Sequence, residues 1–297
     1  MTGKHKWFAK KRNNMLRKRK KYPGRCVILE KKEPSLHYDW KGNEIMEVDT
    51  LILGATFLSA GLLQVCGDNC LVLERRPQAG YEFLNAMKTG SGYDRSPVTE
   101  EGRSFLEQFR KKGGIDGKTV NLPCCAPMFY QCLQGKQVLL NMELVSLEWT
   151  PTGWTVTAHG VSGYRTWNAK RIIDTRMHPW MIASKTINIL VNGVCTALPQ
   201  ALSPEEYAEG LWTLKCPVAV DGDYMTARKA VMQVIAQLPE GCKVVHVADM
   251  FDYQVQGGYP AEREGIVYLP SCAWENPFLA FDVGILYGKE HGGYGTF

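Results

Sequence analysis

The order of apolar and polar positions divides the chain into short buried strands, turns and helices. An apolar strand at residues 50–53, a turn at Gly54 and a helix of small and apolar residues to about Val65 come first. A second apolar strand, residues 71–73, ends at Glu74. Continuous apolar strands on either side of a helix are typical of a parallel sheet that is covered on both faces. The pattern therefore predicts a βαβ unit here.

The same pattern predicts further helices and strands over the rest of the chain. The predicted helices are residues 99–111, 127–133, 224–238 and 276–287. The predicted strands are residues 137–140, 144–149, 154–158, 165–168, 171–175, 187–191, 215–220 and 266–269. Short turns separate the strands between residues 144 and 168, which is typical of a β-meander.

The turn after the first strand is a candidate nucleotide site. A dinucleotide fingerprint, G-x-G-x-x-G, uses its glycines for a tight turn, for close approach of the pyrophosphate and for helix packing. Residues 54–59 read GATFLS, so Gly54 is retained while Thr56 and Ser59 replace the other two glycines. The helix start offers N–H groups to an anion, and an acid at Glu74 can bind a ribose. This pattern indicates nucleotide binding, with a purely structural βαβ unit as the alternative.

Basic residues are concentrated at the start of the chain. The 297 residues carry a net charge of +5, and residues 1–25 hold eleven Lys and Arg and no acid, which leaves 24 of the 35 basic residues against 30 acidic ones. Such a block is normally disordered and can bind nucleic acid, which we expect nowhere else in the chain. Residues 41–45 can also be encoded by a purine-rich ribosome-binding sequence. Residues 1–45 are then a translated upstream region, and Met46 or Met15 is the true start.

Cysteine usage and hydropathy narrow the class of protein. Ten cysteines are scattered through a long chain, and no signal-peptide pattern precedes them. Free thiols in a reducing cytosol are therefore expected, which predicts a cytoplasmic location. No run of about 18 apolar residues is present, so no membrane span is expected. The six histidines form no metal-spaced pair, so no metal site is predicted.

The order of elements resembles the FAD-dependent oxidoreductases of the glutathione-reductase-like FAD/NAD(P)-binding superfamily. The resemblance rests on residues 48–76, 137–175 and 266–288. It implies an α/β fold with a Rossmann-like βαβ parallel sheet, a β-meander of the FAD-binding type and an inserted mixed β/α substrate region. The implied domains are residues 46–176 and 251–297 for FAD binding and residues 177–250 for the substrate or cap region.

The resemblance also implies FAD as the cofactor and a set of contacts to it. The implied cofactor-binding residues are Gly54, Ala55, Thr56 and Ser59 at the pyrophosphate, Glu74 and Arg75 at the ribose, Leu144 at the adenine, Thr175 near the ADP moiety, and Asn276, Pro277 and Phe278 at the start of a helix aimed at the flavin. The family's closing block has Gly-Asp after its strand, whereas this chain has Ser271, Cys272 and Ala273 there. Cys272 is either a flavin attachment site, a reactive thiol or a core residue.

The implied activity is hydride transfer from a small organic substrate to flavin N5. No second fingerprint for NAD(P)H is present, so the electron donor is expected to be the substrate or a partner redox subunit. The catalytic residues stay unassigned, with His178, Tyr93 and Arg95 as candidates. The alternative is a catalytically weak or inactive FAD-fold partner subunit of a multi-component oxidoreductase. A homodimer is a further expectation.

Overall fold

The structure is a computed structural model that describes residues 45–116, 119–193, 202–208 and 210–291. Of residues 1–45 the structure describes only Ile45, so the basic tail, and with it the hypothesis of a start at Met46 or Met15, lies outside the described residues. Within the described part of the chain, no helix is long and apolar enough to cross a membrane.

Each predicted helix and strand has a counterpart in the structure, whereas five strands were not predicted. The strands are β1 (Met46–Leu53), β2 (Cys70–Leu73), β3 (Ile115–Asp116), β4 (Thr119–Val120), β5 (Gln137–Leu139), β6 (Glu143–Thr150), β7 (Gly153–Gly160), β8 (Gly163–Asp174), β9 (Ile182–Asn192), β10 (Ser203–Ala208), β11 (Leu211–Val218), β12 (Lys243–Val255), β13 (Ala261–Arg263) and β14 (Ile266–Tyr268). The α-helices are α1 (Phe57–Val65), α2 (Glu100–Lys111), α3 (Cys125–Leu133), α4 (Tyr224–Ile235) and α5 (Pro277–His291). The five strands that were not predicted are β3, β4, β10, β12 and β13.

The larger sheet is mixed and has the order β13-β14-β8-β1-β2-β5, with β6 and β7 attached beside β8. Its centre is parallel, because Leu51 of β1 lies beside Leu71 of β2 and Ile172 of β8. Strands β6, β7 and β8 form an antiparallel meander. The predicted α/β class is therefore confirmed. The two strands predicted at 165–168 and 171–175 are one continuous strand, β8.

Helices α1 and α5 lie on one face of this sheet and pack against each other at very short range. A Cβ atom on Gly61 of α1 would overlap the carbonyl oxygen of Phe281, and one on Gly284 of α5 would overlap that of Leu58. The first seven residues of α1, Phe57 to Leu63, are all buried. The small residues after β1 therefore serve helix packing, which is one of the three uses of glycine in a dinucleotide fingerprint.

The smaller sheet is antiparallel, with the order β10-β11-β9-β12, and forms a second layer. Ala227 and Val231 of α4 pack on it against Ile187, Ile189 and Leu214. This sheet lies in the region predicted as the substrate or cap region. Strand β12 runs to Val255, so this smaller sheet extends past residue 250.

Candidate functional site

The start of α1 is the position at which a dinucleotide-binding fold holds the phosphates of its ligand. The chain leaves β1 and turns at Gly54, whose φ of 101° is a conformation that side chains rarely adopt. The turn is closed on its outer side, because the Arg176 side chain and the Thr175 hydroxyl lie where a Cβ on Gly54 would point.

Thr56 and Ser59 form a capping box at this helix start. The Thr56 N–H donates to Ser59 Oγ at 2.7 Å, and the Ser59 N–H donates to Thr56 Oγ1 at 3.1 Å. The Thr56 hydroxyl donates to Thr175 Oγ1 at 2.9 Å. A capping box satisfies N–H groups that a helix start otherwise leaves open. Two of the N–H groups predicted to receive phosphate therefore bond to the helix's own side chains.

A third N–H group binds a carboxylate, that of Glu82. The Phe57 N–H donates to Glu82 Oε1 at 2.8 Å, and the Ser271 hydroxyl donates to the same oxygen at 2.7 Å. The Leu58 N–H donates in turn to Ser271 Oγ at 3.3 Å. Glu82 is only 5% exposed. An anion at the positive end of the helix dipole is stabilised there, and Glu82 is the anion that bonds to the start of α1 in this structure.

Glu74 accepts from the remaining N–H group of this turn, that of Ala55. It lies directly after β2, as predicted. Its Oε2 accepts from the Ala55 N–H at 3.0 Å, and its Oε1 accepts from the Arg76 N–H at 2.9 Å. The carboxylate is buried, and burial raises its pKa although both N–H bonds lower it. Every N–H from Ala55 to Ser59 thus bonds to a side chain of the protein.

Burial has the largest effect on the pKa of the Glu82 carboxyl. It raises the pKa of this carboxyl to about 7, against the lowering effect of the bonds from Phe57 and Ser271, while Glu74 raises it further. The second oxygen, Glu82 Oε2, is buried and has no hydrogen-bond partner among the described residues. The carboxylate is therefore held on one oxygen only.

An ion cluster lies at the end of β8, beside the turn at Gly54. Arg176 donates to both oxygens of Asp174, at 2.9 and 2.6 Å, and His178 Nε2 lies 2.9 Å from Asp174 Oδ2. Burial raises the pKa of Asp174, but the bonds from His178 and Arg176 outweigh it, so the pKa is lowered. His178, a candidate acid or base, is thus held by Asp174.

The start of α5, which the resemblance aims at a flavin, is also capped. Asn276 Oδ1 accepts from the N–H groups of Phe278 and Leu279, at 3.0 and 2.9 Å, and its Nδ2 donates to the Ser91 carbonyl at 2.8 Å. The Phe278 ring is buried in the core against Phe105 and Phe109. The N–H groups predicted to face a flavin therefore bond to Asn276.

A polar cavity of about 210 Å³ lies between the start of α5 and the smaller sheet. Lys88 Nζ donates to the Cys272 carbonyl at 3.0 Å and lies 3.6 Å from Asp252 Oδ1. Lys215 of β11 pairs with Glu205 of β10 at 2.5 Å. The cavity is lined by Lys88, Gly90, Ser91, Glu205, Lys215, Asp252, Gln254, Val255, Cys272, Ala273, Trp274 and Glu275. Charges of both signs therefore surround it.

Several other predicted residues are not among the groups that bond to the start of α1. Tyr93 packs in the core beside Phe109 and Phe278 and donates to the Thr89 carbonyl, whereas Arg95 is exposed and pairs with Glu275. Arg75 is exposed and Leu144 packs beside the core under the meander. Burial raises the pKa of the Cys272 thiol to about 12, which opposes a reactive thiolate. No group of His, Cys, Asp or Glu in the described residues is arranged to hold a metal ion.

Glu82 and Ser271 are the residues that sequence reasoning missed as parts of this site. In the sequence Glu82 stands between Tyr81 and Phe83, and that pattern predicts only packing. An acid flanked by two aromatic residues is nevertheless a signal, because a carboxylate in such surroundings is rarely buried without a specific partner.

Comparison with known proteins finds solved structures that share the fold. No protein-family model matches the chain, and no curated protein matches it. Among solved structures, p-nitrophenol 4-monooxygenase PnpA from Pseudomonas putida DLL-E4 matches with a TM-score of 0.53 and 13% identity, over 84% of this chain and 79% of that one. At this identity the match shows a shared fold.

Two further matches are weaker. The rebeccamycin biosynthetic enzyme RebC, in its substrate-free form, gives a TM-score of 0.48 at 13% identity, over 84% of this chain and 63% of that one. Aklavinone-11 hydroxylase, in a ternary complex with FAD and aklavinone, gives 0.47 at 12% identity, over 84% of this chain and 62% of that one. This chain spans less than two thirds of the length of either protein.

Proposed function

We propose that this protein is an FAD-dependent oxidoreductase that binds its cofactor only in a second conformation, in which Glu82 has left the start of α1. The observation that carries the proposal is the fold shared with p-nitrophenol 4-monooxygenase, together with the element order that resembles FAD-dependent oxidoreductases. In the proposed site the turn at Gly54 lies at the pyrophosphate and Glu74, directly after β2, lies at the ribose, as the resemblance implies.

The residues do not fit FAD in the conformation described. A dinucleotide's phosphates need N–H donors at the start of α1, and all of those from Ala55 to Ser59 already bond to side chains. The Glu82 carboxylate would also repel a phosphate at this range. FAD, when bound, supplies the acceptor for a hydride. The protein's own part is to open the site, orient the substrate and exclude water.

The cavity beside Lys88 is the proposed substrate position. Its volume of about 210 Å³ is below the range of about 300–1,000 Å³ that holds drug-sized ligands, so it suits a small molecule. Lys88 and Lys215 offer cations, and Asp252, Glu205 and Glu275 offer carboxylates. These charges favour a small polar substrate over an extended apolar one.

A second candidate function is favoured by the closure of the site. If Glu82 never leaves, the chain keeps the fold without binding FAD, which agrees with the alternative of a catalytically weak or inactive partner subunit of a multi-component oxidoreductase. The two functions differ in one property, the binding of FAD to the intact protein.

Titration of the purified protein with FAD, followed by the quenching of flavin fluorescence, tests the proposal. We expect weak but saturable binding, which tightens as the pH is lowered because a neutral Glu82 no longer repels the phosphates. Absence of binding at every pH, by a protein that remains folded, would reject the oxidoreductase proposal and leave the partner-subunit role.

A further inference from the structure

We propose that Glu82 is a built-in substitute for the ligand's phosphate, and that it competes with a dinucleotide for the first turn of α1. The identity of the ligand as FAD rests on the proposed function. The competition itself rests on the contacts of Glu82.

Glu82 accepts from a backbone N–H group at a helix start, which is the kind of donor that holds a phosphate in a dinucleotide-binding fold. One carboxylate oxygen accepts from the Phe57 N–H at 2.8 Å and from the Ser271 hydroxyl at 2.7 Å, while Ser271 accepts from the Leu58 N–H at 3.3 Å. Two successive N–H groups of the first turn therefore serve one carboxylate, the second through a hydroxyl. Phosphate groups bind to the same N–H groups at the start of such helices.

Ser271 lies in the segment that departs from the family pattern. The family's Gly-Asp is replaced there by residues that include Ser271, and Ser271 is fully buried. Its hydroxyl links Leu58 of α1 to Glu82. The departure therefore has a structural consequence, since it supplies the second donor to the internal carboxylate.

The second oxygen of Glu82 shows that the closed position is incompletely satisfied. Glu82 Oε2 is buried without a hydrogen-bond partner among the described residues. A buried polar atom without a partner costs free energy, so this oxygen favours release of the side chain. A phosphate has more acceptor oxygens than one carboxylate, and the Phe57 N–H and the Ser271 hydroxyl become available to it once Glu82 has moved.

The proposed release is a rotation of the Glu82 side chain. The backbone beside Glu82 is anchored separately, because the Gly80 N–H donates to the Ala55 carbonyl at 2.7 Å and the Phe83 ring is buried against Phe57. Rotation of the Glu82 side chain frees the Phe57 N–H without unfolding this segment.

The test compares full-length variants by their affinity for FAD and for inorganic pyrophosphate. Glu82→Ala removes the competitor, and Glu82→Gln keeps an acceptor oxygen but removes the charge. Glu101→Ala is the matched control, since Glu101 is an exposed helix residue paired with Lys289. If Glu82 holds the site about 90% of the time, its removal tightens binding about tenfold. We expect that gain for Glu82→Ala, a smaller gain for Glu82→Gln and none for Glu101→Ala.

The two probes separate the failure of this inference from the failure of the proposed function. If Glu82→Ala gains pyrophosphate binding but no variant binds FAD, the competition stands and the FAD proposal fails. If a folded Glu82→Ala binds both probes no more tightly than the wild type, the competition is rejected. Should Glu82→Ala not fold, Glu82→Gln is compared with the wild type instead. Unchanged affinity of Glu82→Gln for both probes would then reject the competition.

Discussion

The Glu82 carboxyl combines burial with a position at the end of a helix. Burial raises its pKa to about 7, and the titratable groups that interact with it are Glu74, directly after β2, Tyr81 beside it, and Cys272 near the cavity. Burial also raises the pKa of Tyr81, and Glu74 and Glu82 add to that effect. The protonation of Glu82 therefore changes near neutral pH.

The raised pKa of Glu82 predicts a pH-dependent stability. Between the unfolded pKa near 4.5 and the folded pKa of about 7, the folded state binds more protons, so its free energy of unfolding falls as the pH rises through this window. We expect the free energy of unfolding to fall between pH 4.5 and pH 8 by about 2–3 kcal/mol less in Glu82→Gln than in the wild type. Urea unfolding at several pH values measures it. Equal losses in both proteins would show that Glu82 does not titrate there.

Ser271 gives a second prediction at the scale of one residue. Ser271→Ala leaves the Leu58 N–H and the Glu82 carboxylate without their shared hydroxyl, and we expect a loss of stability of about 1–3 kcal/mol. Ser104→Ala, on the exposed face of α2, is the control and should change stability by less than about 0.5 kcal/mol. A neutral Ser271→Ala variant would show that the hydroxyl does not hold Glu82.

At the scale of elements, the close contact between α1 and α5 holds α1 in position. Gly61 lies against the Phe281 carbonyl without room for a methyl group. Gly61→Ala must separate the helices, and we expect it to cost about 1–3 kcal/mol. Gly67→Ala is the matched control, since nothing lies within 4 Å of a Cβ there. Thermal unfolding of both variants measures the difference, and equal melting temperatures would contradict the close packing.

The elements also show how far the sequence predicts the fold. Helix α2 is confirmed with Thr99 as its N-cap, because Thr99 and two glutamates in the first turn are local signals. Strand β12 was not predicted. Its sequence, KVVHVADMFDYQV, does not alternate regularly, and its pairing with β9 contains three register shifts. Two of the three shifts, after Val244 and after Gln254, change the register by one residue. A one-residue shift moves the following side chains to the other face, so a regular period of two is lost.

Across the whole molecule, Lys88 connects the two sheets. Its ammonium donates to the Tyr253 carbonyl of β12 and to the Cys272 carbonyl before α5, and it faces Asp252 of β12. Both side chains of the Lys88–Asp252 pair are buried, at 8% and 2% exposure. Removing one partner leaves the other charge buried alone.

Lys88→Met is therefore expected to destabilise the protein by about 3–5 kcal/mol. The double variant with Asp252→Asn, which also removes the second charge, should recover part of that loss. Lys289→Met, which breaks the exposed pair with Glu101, is the control and should cost less than about 1 kcal/mol. Urea unfolding compares the three. A double variant no more stable than Lys88→Met would contradict a direct charge pairing.

The candidate site was harder to predict than the fold, for a physical reason. Gly54, Thr56, Ser59, Glu74 and Thr175 were predicted to lie together, and the structure brings them together at the end of β1. What occupies the site depends on Glu82 and Ser271, which are 189 positions apart. Local patterns carry no information about such a pair, because only the packed fold sets the distance between them.

The visible absorbance of the wild-type protein as purified, beside Glu82→Ala prepared in the same way and without added flavin, tests the central claim most directly. If Glu82 occupies the phosphate position, the wild type should carry little flavin and Glu82→Ala should retain more of it per mole of protein. A wild type that purifies with one bound FAD, and that keeps it as firmly as Glu82→Ala does, would contradict the claim.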